Sequence, residues 1–95
     1  MEFSKTEMET RAHASALPSY MIPGLMRYLV DRVEPGDFLM AVLENDLRRA
    51  CERADDVNRA TLANYVQFLY NYAPSPAWGS KEKVRAWLQP VRASA

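Results

Sequence analysis

The sequence contains little cysteine, histidine or glycine, and it has no long run of apolar residues. Because Cys51 is the only cysteine, the chain cannot form an internal disulfide, and a zinc site would lack its usual thiol and imidazole ligands. No apolar run is long enough for a membrane span or for the core of a signal peptide. These absences predict a cytoplasmic protein that holds no metal or cofactor and does not enter a membrane.

An excess of charge of one sign is also missing, since 12 lysines and arginines balance 12 aspartates and glutamates. A chain with no net charge has no long-range field that would attract nucleic acid, a membrane surface or an acidic partner. Binding to any of these would have to depend on a local patch.

The rest of the composition is that of an ordinary globular domain, with 48% hydrophobic and 25% charged residues among 95. Apolar residues recur at helical spacing, and no segment alternates apolar and polar residues with a period of two. We therefore predict an all-α fold, a compact bundle of three to four short helices, with residues 17–95 as a single domain. Residues 1–16 lack a sustained apolar stripe and are predicted to form a mobile, flexible arm.

Turn and capping residues divide the predicted domain into helices over 23–33, 37–53, 57–73 and 81–89. The predicted N-caps of the last three are Asp37, the pair Asp55 and Asp56, and Ser80. The second helix has the clearest core face, which consists of Leu39, Val42, Leu43, Leu47, Ala50 and Ala54. The fourth is expected to dock through Val84, Trp87, Leu88 and Val91.

No group of residues in the sequence supports catalysis. A nucleophilic Cys51 would need a base beside it, and the only histidine, His13, lies in the predicted arm. Four carboxylates, those of Glu44, Asp46, Asp55 and Asp56, could in principle hold a cation or act as an acid/base pair. Their presence is explained more simply by solvated surface charge and by helix capping. We therefore predict that the protein is not an enzyme.

Asn45 and Asp46 lie near the edge of the apolar stripe of the predicted second helix. A polar group that is partly buried there needs a partner, such as a tyrosine hydroxyl, an arginine or the amides that open the next helix. The two residues are predicted to form a polar clasp between helices.

Aromatic residues are concentrated in the third helix and the loop after it. They point to more than one side of the helix, so they cannot all face one core, and exposed tyrosine and tryptophan are residue types that anchor protein interfaces. The candidate interaction surface therefore consists of Tyr65, Phe68, Tyr70, Tyr72 and Trp78.

A helix-turn-helix is the alternative interpretation, with the third helix, which begins VNRATL, entering a DNA major groove. Asp55 and Asp56 would then approach the phosphates, and their repulsion opposes the electrostatic attraction on which DNA binding depends. Nucleic acid is for this reason the weaker choice of partner.

From Ile22 onward the sequence resembles a group of small, uncharacterised proteins encoded by bacteriophages, prophages and plasmids. The resemblance covers about three quarters of the chain and rests on IPGLMRYLVDRVEPGDFLMAVLENDLRRA, RADDVNRATL and FLYNYAPSPAWGSKEKVRAWL. The pattern PGxFLxAVLxNDL, then ADxxN, then YNxxP and WGSxEKVxxWL, is kept almost completely. Ala77 departs from it, because a cysteine often precedes the tryptophan in that group.

The resemblance implies an origin in a mobile element and a bacterial host cell, and it supplies no catalytic residues. Small proteins of such elements often bind a host or phage protein, including components of immune systems such as CRISPR complexes. The sequence and the resemblance together lead us to expect a non-enzymatic protein-interaction module, whose partner is a host or phage protein or a second copy of the chain.

Overall fold

Helices are the only regular secondary structure in the part of the chain that the computed structural model describes, residues 4–89. This confirms the all-α prediction, but three to four helices was too low a number. Within those residues there are seven α-helices: α1 (Lys5–Ala14), α2 (Ile22–Asp31), α3 (Asp37–Leu43), α4 (Leu47–Arg53), α5 (Asp56–Ala60), α6 (Leu62–Tyr72) and α7 (Lys81–Leu88). Short 3₁₀ helices at Ser19–Met21 and Ser75–Ala77 complete the set. Val91, which was predicted to dock the last helix, lies outside the described residues.

Helix α1 occupies most of the segment that was predicted to be a mobile arm. Ser4 and Glu7 form a capping box, in which each side chain accepts a hydrogen bond from the other residue's amide. Met8 and Ala12 are buried one turn apart and join the core. The sequence analysis did not anticipate this helix, because its capping box and its two buried residues lie in a segment that has no continuous apolar stripe.

The second predicted helix is two helices, α3 and α4, with a turn at residues 44–46. Asn45 has a φ of 63°, and the amides of Asn45 and Asp46 donate to the carbonyls of Val42 and Ala41. This is the Schellman arrangement that ends many helices, with asparagine in the position where glycine is usual. Because the break changes the direction of the chain, Leu47 is 67% exposed and does not belong to the core face as predicted.

The third predicted helix is also interrupted, at Thr61, between α5 and α6. The Thr61 hydroxyl donates to the carbonyl of Val57 at 2.9 Å, which competes with regular helical hydrogen bonding.

Asp55 caps α5 by accepting from the amide of Asn58 at 2.7 Å, as predicted. Asp37 does not cap α3: the N-cap is Gly36, and Asp37 lies in the first turn, 3.8 Å from the Arg53 guanidinium.

The core contains buried side chains from most of the helices, and its large members come mainly from α2, α3 and α6. Tyr28, Tyr65 and Phe68 are among its fully buried members, and the Phe38 ring meets the Tyr65 ring edge-on with centroids 5.3 Å apart. The buried hydroxyls have partners, since Tyr28 donates to the carbonyl of Ala77 at 2.6 Å and Tyr65 donates to the side chain of Asn58 at 2.7 Å. Burial raises the pKa of both tyrosines well above the usual value.

Helix α7 closes the structure against α2 and α3. Ser80 caps it by accepting from the amide of Lys83, which confirms the prediction, and Val84 is fully buried. The Trp87 indole donates to the backbone carbonyl of Tyr28, and the Arg32 guanidinium lies 3.9 Å from the centre of the Trp87 ring. Among the described residues, no helix has the length and apolar character that crossing a membrane requires.

Candidate protein-interaction groove

The five aromatic residues of the predicted interaction surface have different environments. Tyr65 and Phe68 are completely buried and are excluded from any contact with a partner. Tyr72 is half-buried, with its ring near Phe68 and beneath the Arg11 guanidinium of α1. Tyr70 is 79% exposed and Trp78 is half-buried, and these two reach the same depression of the surface. The surface that remains is thus smaller than predicted and centred on Tyr70.

Helix α6 has no charged residue among its 11, although a quarter of the chain is charged. Its buried side carries Tyr65, Phe68 and Leu69. The other side exposes Val66 and Tyr70, which follow Leu62 at intervals of four residues and so form a stripe along the helix. A solvent-facing helix normally carries charge on its wet face, so an uncharged apolar stripe there marks a surface suited to contact.

Two depressions lie beside this stripe and have the lining residues Asn45 and Val66 in common. We call them together the α6 groove, defined by Asn45, Asp46, Leu47, Leu62, Val66, Tyr70, Trp78 and Lys83. The first lies between α6 and the α3–α4 turn and is small, with a volume of about 40 Å³. The second lies between α6 and the segment that leads into α7, has a volume of about 630 Å³ and is open to solvent.

The α6 groove contains one charged residue of each sign. Asp46 lines the first depression, and Lys83 lines the second. The other residues that line the two depressions are apolar or uncharged. An apolar centre with a polar rim is the usual anatomy of a protein-binding patch.

Asn45 and Asp46 do not form the predicted polar clasp. Both are exposed, and they build the turn between α3 and α4. Oδ1 of Asp46 accepts from the amide of Arg49, which makes Asp46 the N-cap of α4. The clasp was wrong because the helix breaks where the apolar pattern predicted that it would continue.

A polar link does join helices elsewhere, at Asn58, and the sequence reasoning did not find it. The side chain of Asn58 is buried and accepts from Tyr65, while Asp55 accepts from the Asn58 amide and from the Tyr20 hydroxyl at 2.6 Å. The Tyr20 bond is the main cause of a lowered Asp55 pKa, and it raises the pKa of Tyr20. The signal in the sequence was an asparagine three residues after a capping aspartate, on the side of α5 that faces α6.

The residues weighed for catalysis or metal binding are not gathered into a site. Within residues 4–89 no group of three or more histidine, cysteine, aspartate or glutamate side chains could hold a metal ion. Cys51 is half-buried on α4, and His13 is exposed on α1. Asp55 and Asp46 serve as helix caps, and Glu44 pairs with Arg49 at 3.2 Å.

In the helix-turn-helix alternative, Arg59 would lie on the helix that begins VNRATL and enters the DNA major groove. The Arg59 guanidinium instead donates to the Asp56 carboxylate and to the backbone carbonyl of Ala54, both at 3.0 Å. It thereby ties α5 to the end of α4, and the helix breaks two residues later.

No protein-family model, curated protein or solved structure matches the chain.

Proposed function

We propose that this chain is a non-enzymatic protein-interaction module that binds a partner protein through the α6 groove. The observation that carries the proposal is the uncharged α6, which exposes Val66 and 79% of Tyr70 in a chain otherwise rich in charge. Depletion of charge around exposed aromatic and aliphatic side chains distinguishes the centre of an interface from the rest of a surface.

The shape of the groove indicates the kind of segment that it would receive. A helix that lays an apolar face into a groove presents anchors at intervals of three and four residues. Asp46 and Lys83, one in each depression, would orient such a segment by pairing with its own charges. The expected partner surface is therefore a helix with an apolar middle.

The resemblance to proteins of phages, prophages and plasmids gives this function a setting. Such a module would act in the cytoplasm of a bacterial host and bind a host or phage protein. An inhibitor of a defence system such as CRISPR would be one such module. This setting can be tested by plating phage on a CRISPR-immune host that expresses the chain. We expect plaques to be restored, and unchanged immunity would contradict the setting.

Site-specific photocross-linking tests the groove itself. Benzoylphenylalanine in place of Tyr70 should cross-link a defined protein in host cells, and the same group in place of Arg48, whose side chain is 90% exposed on α4, should not. The cross-link should disappear on Val66→Asp and persist on Val33→Asp, because both valines are 46% exposed and only Val66 lines the groove. Equal products from positions 70 and 48, or none from either, would contradict the proposal.

A further inference from the structure

We infer that the second depression of the α6 groove, which Trp78 and Lys83 line, recognises an acidic segment of the partner protein. This inference rests on the proposed function, because it takes the groove to be a protein-binding surface and specifies the chemistry of the helix that fills it. Three features of residues 4–89 carry it: a depression lined by no acidic side chain, an indole N–H without a partner, and a lysine without a counterion.

The lining of the second depression offers hydrogen-bond donors and no negative charge. Among the described residues, its polar lining side chains are those of Asn45, Tyr70, Ser75, Trp78 and Lys83, and none of them is acidic. The tryptophan and the lysine only donate hydrogen bonds, and the lysine is also positively charged. The depression is therefore suited to a group that accepts hydrogen bonds and carries negative charge.

Trp78 has a donor that the fold does not use. The Trp87 indole donates to a backbone carbonyl at 3.0 Å, but within residues 4–89 the indole N–H of Trp78 has no partner. In that part of the chain, no half-buried or buried residue has an inaccessible side-chain nitrogen or oxygen that lacks a partner. The N–H of the half-buried Trp78 is therefore open to solvent and available to an oxygen atom of a bound protein.

The backbone on both sides of Trp78 is fixed to other elements. The carbonyl of Ala77 accepts from the buried Tyr28 hydroxyl at 2.6 Å. The amide of Gly79 donates to the carbonyl of Leu43 at 2.7 Å. Because the donor is held in place before binding, little conformational freedom remains to be lost when it meets an acceptor.

Lys83 is a cation without a counterion. Four arginines of α4 and α5 pair with carboxylates, whereas within the described residues no carboxylate pairs with Lys83. Its Nζ lies 3.8 Å from the position that a Cβ atom on Gly79 would take, beside the residue that follows Trp78. Helix α7 has three basic residues and one acidic residue in a chain whose net charge is zero. A negatively charged segment complements this side of the groove.

A carboxylate of a protein fits these features better than a phosphate of nucleic acid. Lys83 is the only charged residue among the described residues that line the depression, and nucleic acid binding depends on several cations along the phosphate backbone. Val66 and Tyr70 line the same depression and offer contacts to an apolar side chain. The occupant is therefore an amphipathic helix that carries aspartate or glutamate beside its apolar anchors.

Selection of displayed peptides on the intact chain tests the inference. The probe is a library of helical peptides with leucine at intervals of three and four residues and random residues elsewhere. The native chain should enrich peptides with aspartate or glutamate at one position beside the anchors. Lys83→Glu should enrich lysine or arginine there, and it keeps the chain folded because an acidic third residue suits the start of α7. Enrichment without acidic residues, or the same enrichment on both chains, would overturn the inference.

Lys81→Glu is the matched control. It makes the same change of charge in the first turn of α7, at a residue that lines neither depression. It should enrich the same acidic peptides as the native chain does. Equal effects of the substitutions at positions 81 and 83 would show that total charge selects the peptides, and would exclude the site.

Calorimetric titration of one selected peptide and its glutamine counterpart separates the two donors. The native chain should bind the acidic peptide about five- to tenfold more tightly. Trp78→Phe keeps an aromatic ring but removes the N–H, so this ratio should fall to about twofold, which is the part that Lys83 supplies. A ratio that Trp78→Phe leaves unchanged would overturn the role of the indole N–H.

The outcome for the acidic segment can be separated from the outcome for the proposed function. If position 70 cross-links a defined protein but no acidic peptide is enriched, the acidic segment is excluded and the interaction module stands. If neither a cross-link nor an enriched peptide is obtained, both fail. If a single-stranded oligonucleotide displaces the selected peptide at equal concentration, nucleic acid is the occupant and the inference is overturned.

Discussion

Leu43 and Leu47 lie four residues apart, on either side of the α3–α4 turn, and have opposite environments. Leu43 is completely buried at the end of α3, while Leu47 is 67% exposed at the start of α4. Helical periodicity assigned both to one inward stripe, which is correct only for an unbroken helix. The left-handed backbone of Asn45 ends α3 and so causes the difference in burial between the two leucines. A single asparagine among helix-forming residues does not predict such a conformation.

Matched substitutions at these two leucines measure that difference. We expect Leu43→Ala to lower the free energy of unfolding by about 2–5 kcal/mol, because it leaves a cavity in a packed core. Leu47→Ala should change it by no more than about 0.5 kcal/mol. Urea unfolding followed by circular dichroism provides both values, and comparable losses at the two positions would show that α3 and α4 form one continuous helix.

Among the elements, α1 departs most from what the sequence predicted. Its apolar residues are too few for a periodic stripe, so the pattern predicted a mobile arm, although the Ser4-to-Glu7 spacing of a capping box was present. Interrupted helices were missed for a related reason: periodicity continues through a break when the apolar residues beyond it keep their spacing. Local chemistry was more informative, since the caps at Asp55 and Ser80 were predicted correctly.

A substitution at Ala16 tests whether α1 ends as the structure describes. Ala16 has a φ of 63°, and the next amide, of Leu17, donates to the carbonyl of Ala12. Glycine adopts this backbone without the penalty of a Cβ atom, so Ala16→Gly should raise the free energy of unfolding by about 0.5–1 kcal/mol. Ala86→Gly, at an exposed position within α7, should lower it by a similar amount. A mobile segment would give no gain at Ala16.

At the scale of the whole molecule, two buried hydroxyls connect different elements of the fold. Tyr28 of α2 binds the segment before α7, and Tyr65 of α6 binds α5. The all-α class and the single core could be predicted, because they follow from apolar spacing summed over the chain. These two contacts could not, since a tyrosine at a helical core position does not indicate which carbonyl or amide its hydroxyl meets.

Alkaline pH should weaken the whole fold through these tyrosines. Their pKa values are raised in the folded state by burial, so the unfolded chain releases its protons first as the pH passes the usual tyrosine value of about 10. The stabilisation is complete below that pH and declines above it, by about 1.4 kcal/mol per pH unit for each tyrosine. Urea midpoints measured at increasing pH should fall accordingly, and the decline should be shallower for Tyr28→Phe. A midpoint that stays constant above pH 10 would contradict the burial of these hydroxyls.

The placement of the two tryptophans gives the protein two separate optical reporters. The Trp87 indole is held against α2 by its bond to Tyr28 and by the guanidinium above it, so its emission follows the integrity of the folded chain. Trp78 lines the α6 groove, and its emission responds when that surface is covered. Replacing either with phenylalanine leaves a single tryptophan, so one variant reports on unfolding and the other on complex formation, without an attached dye.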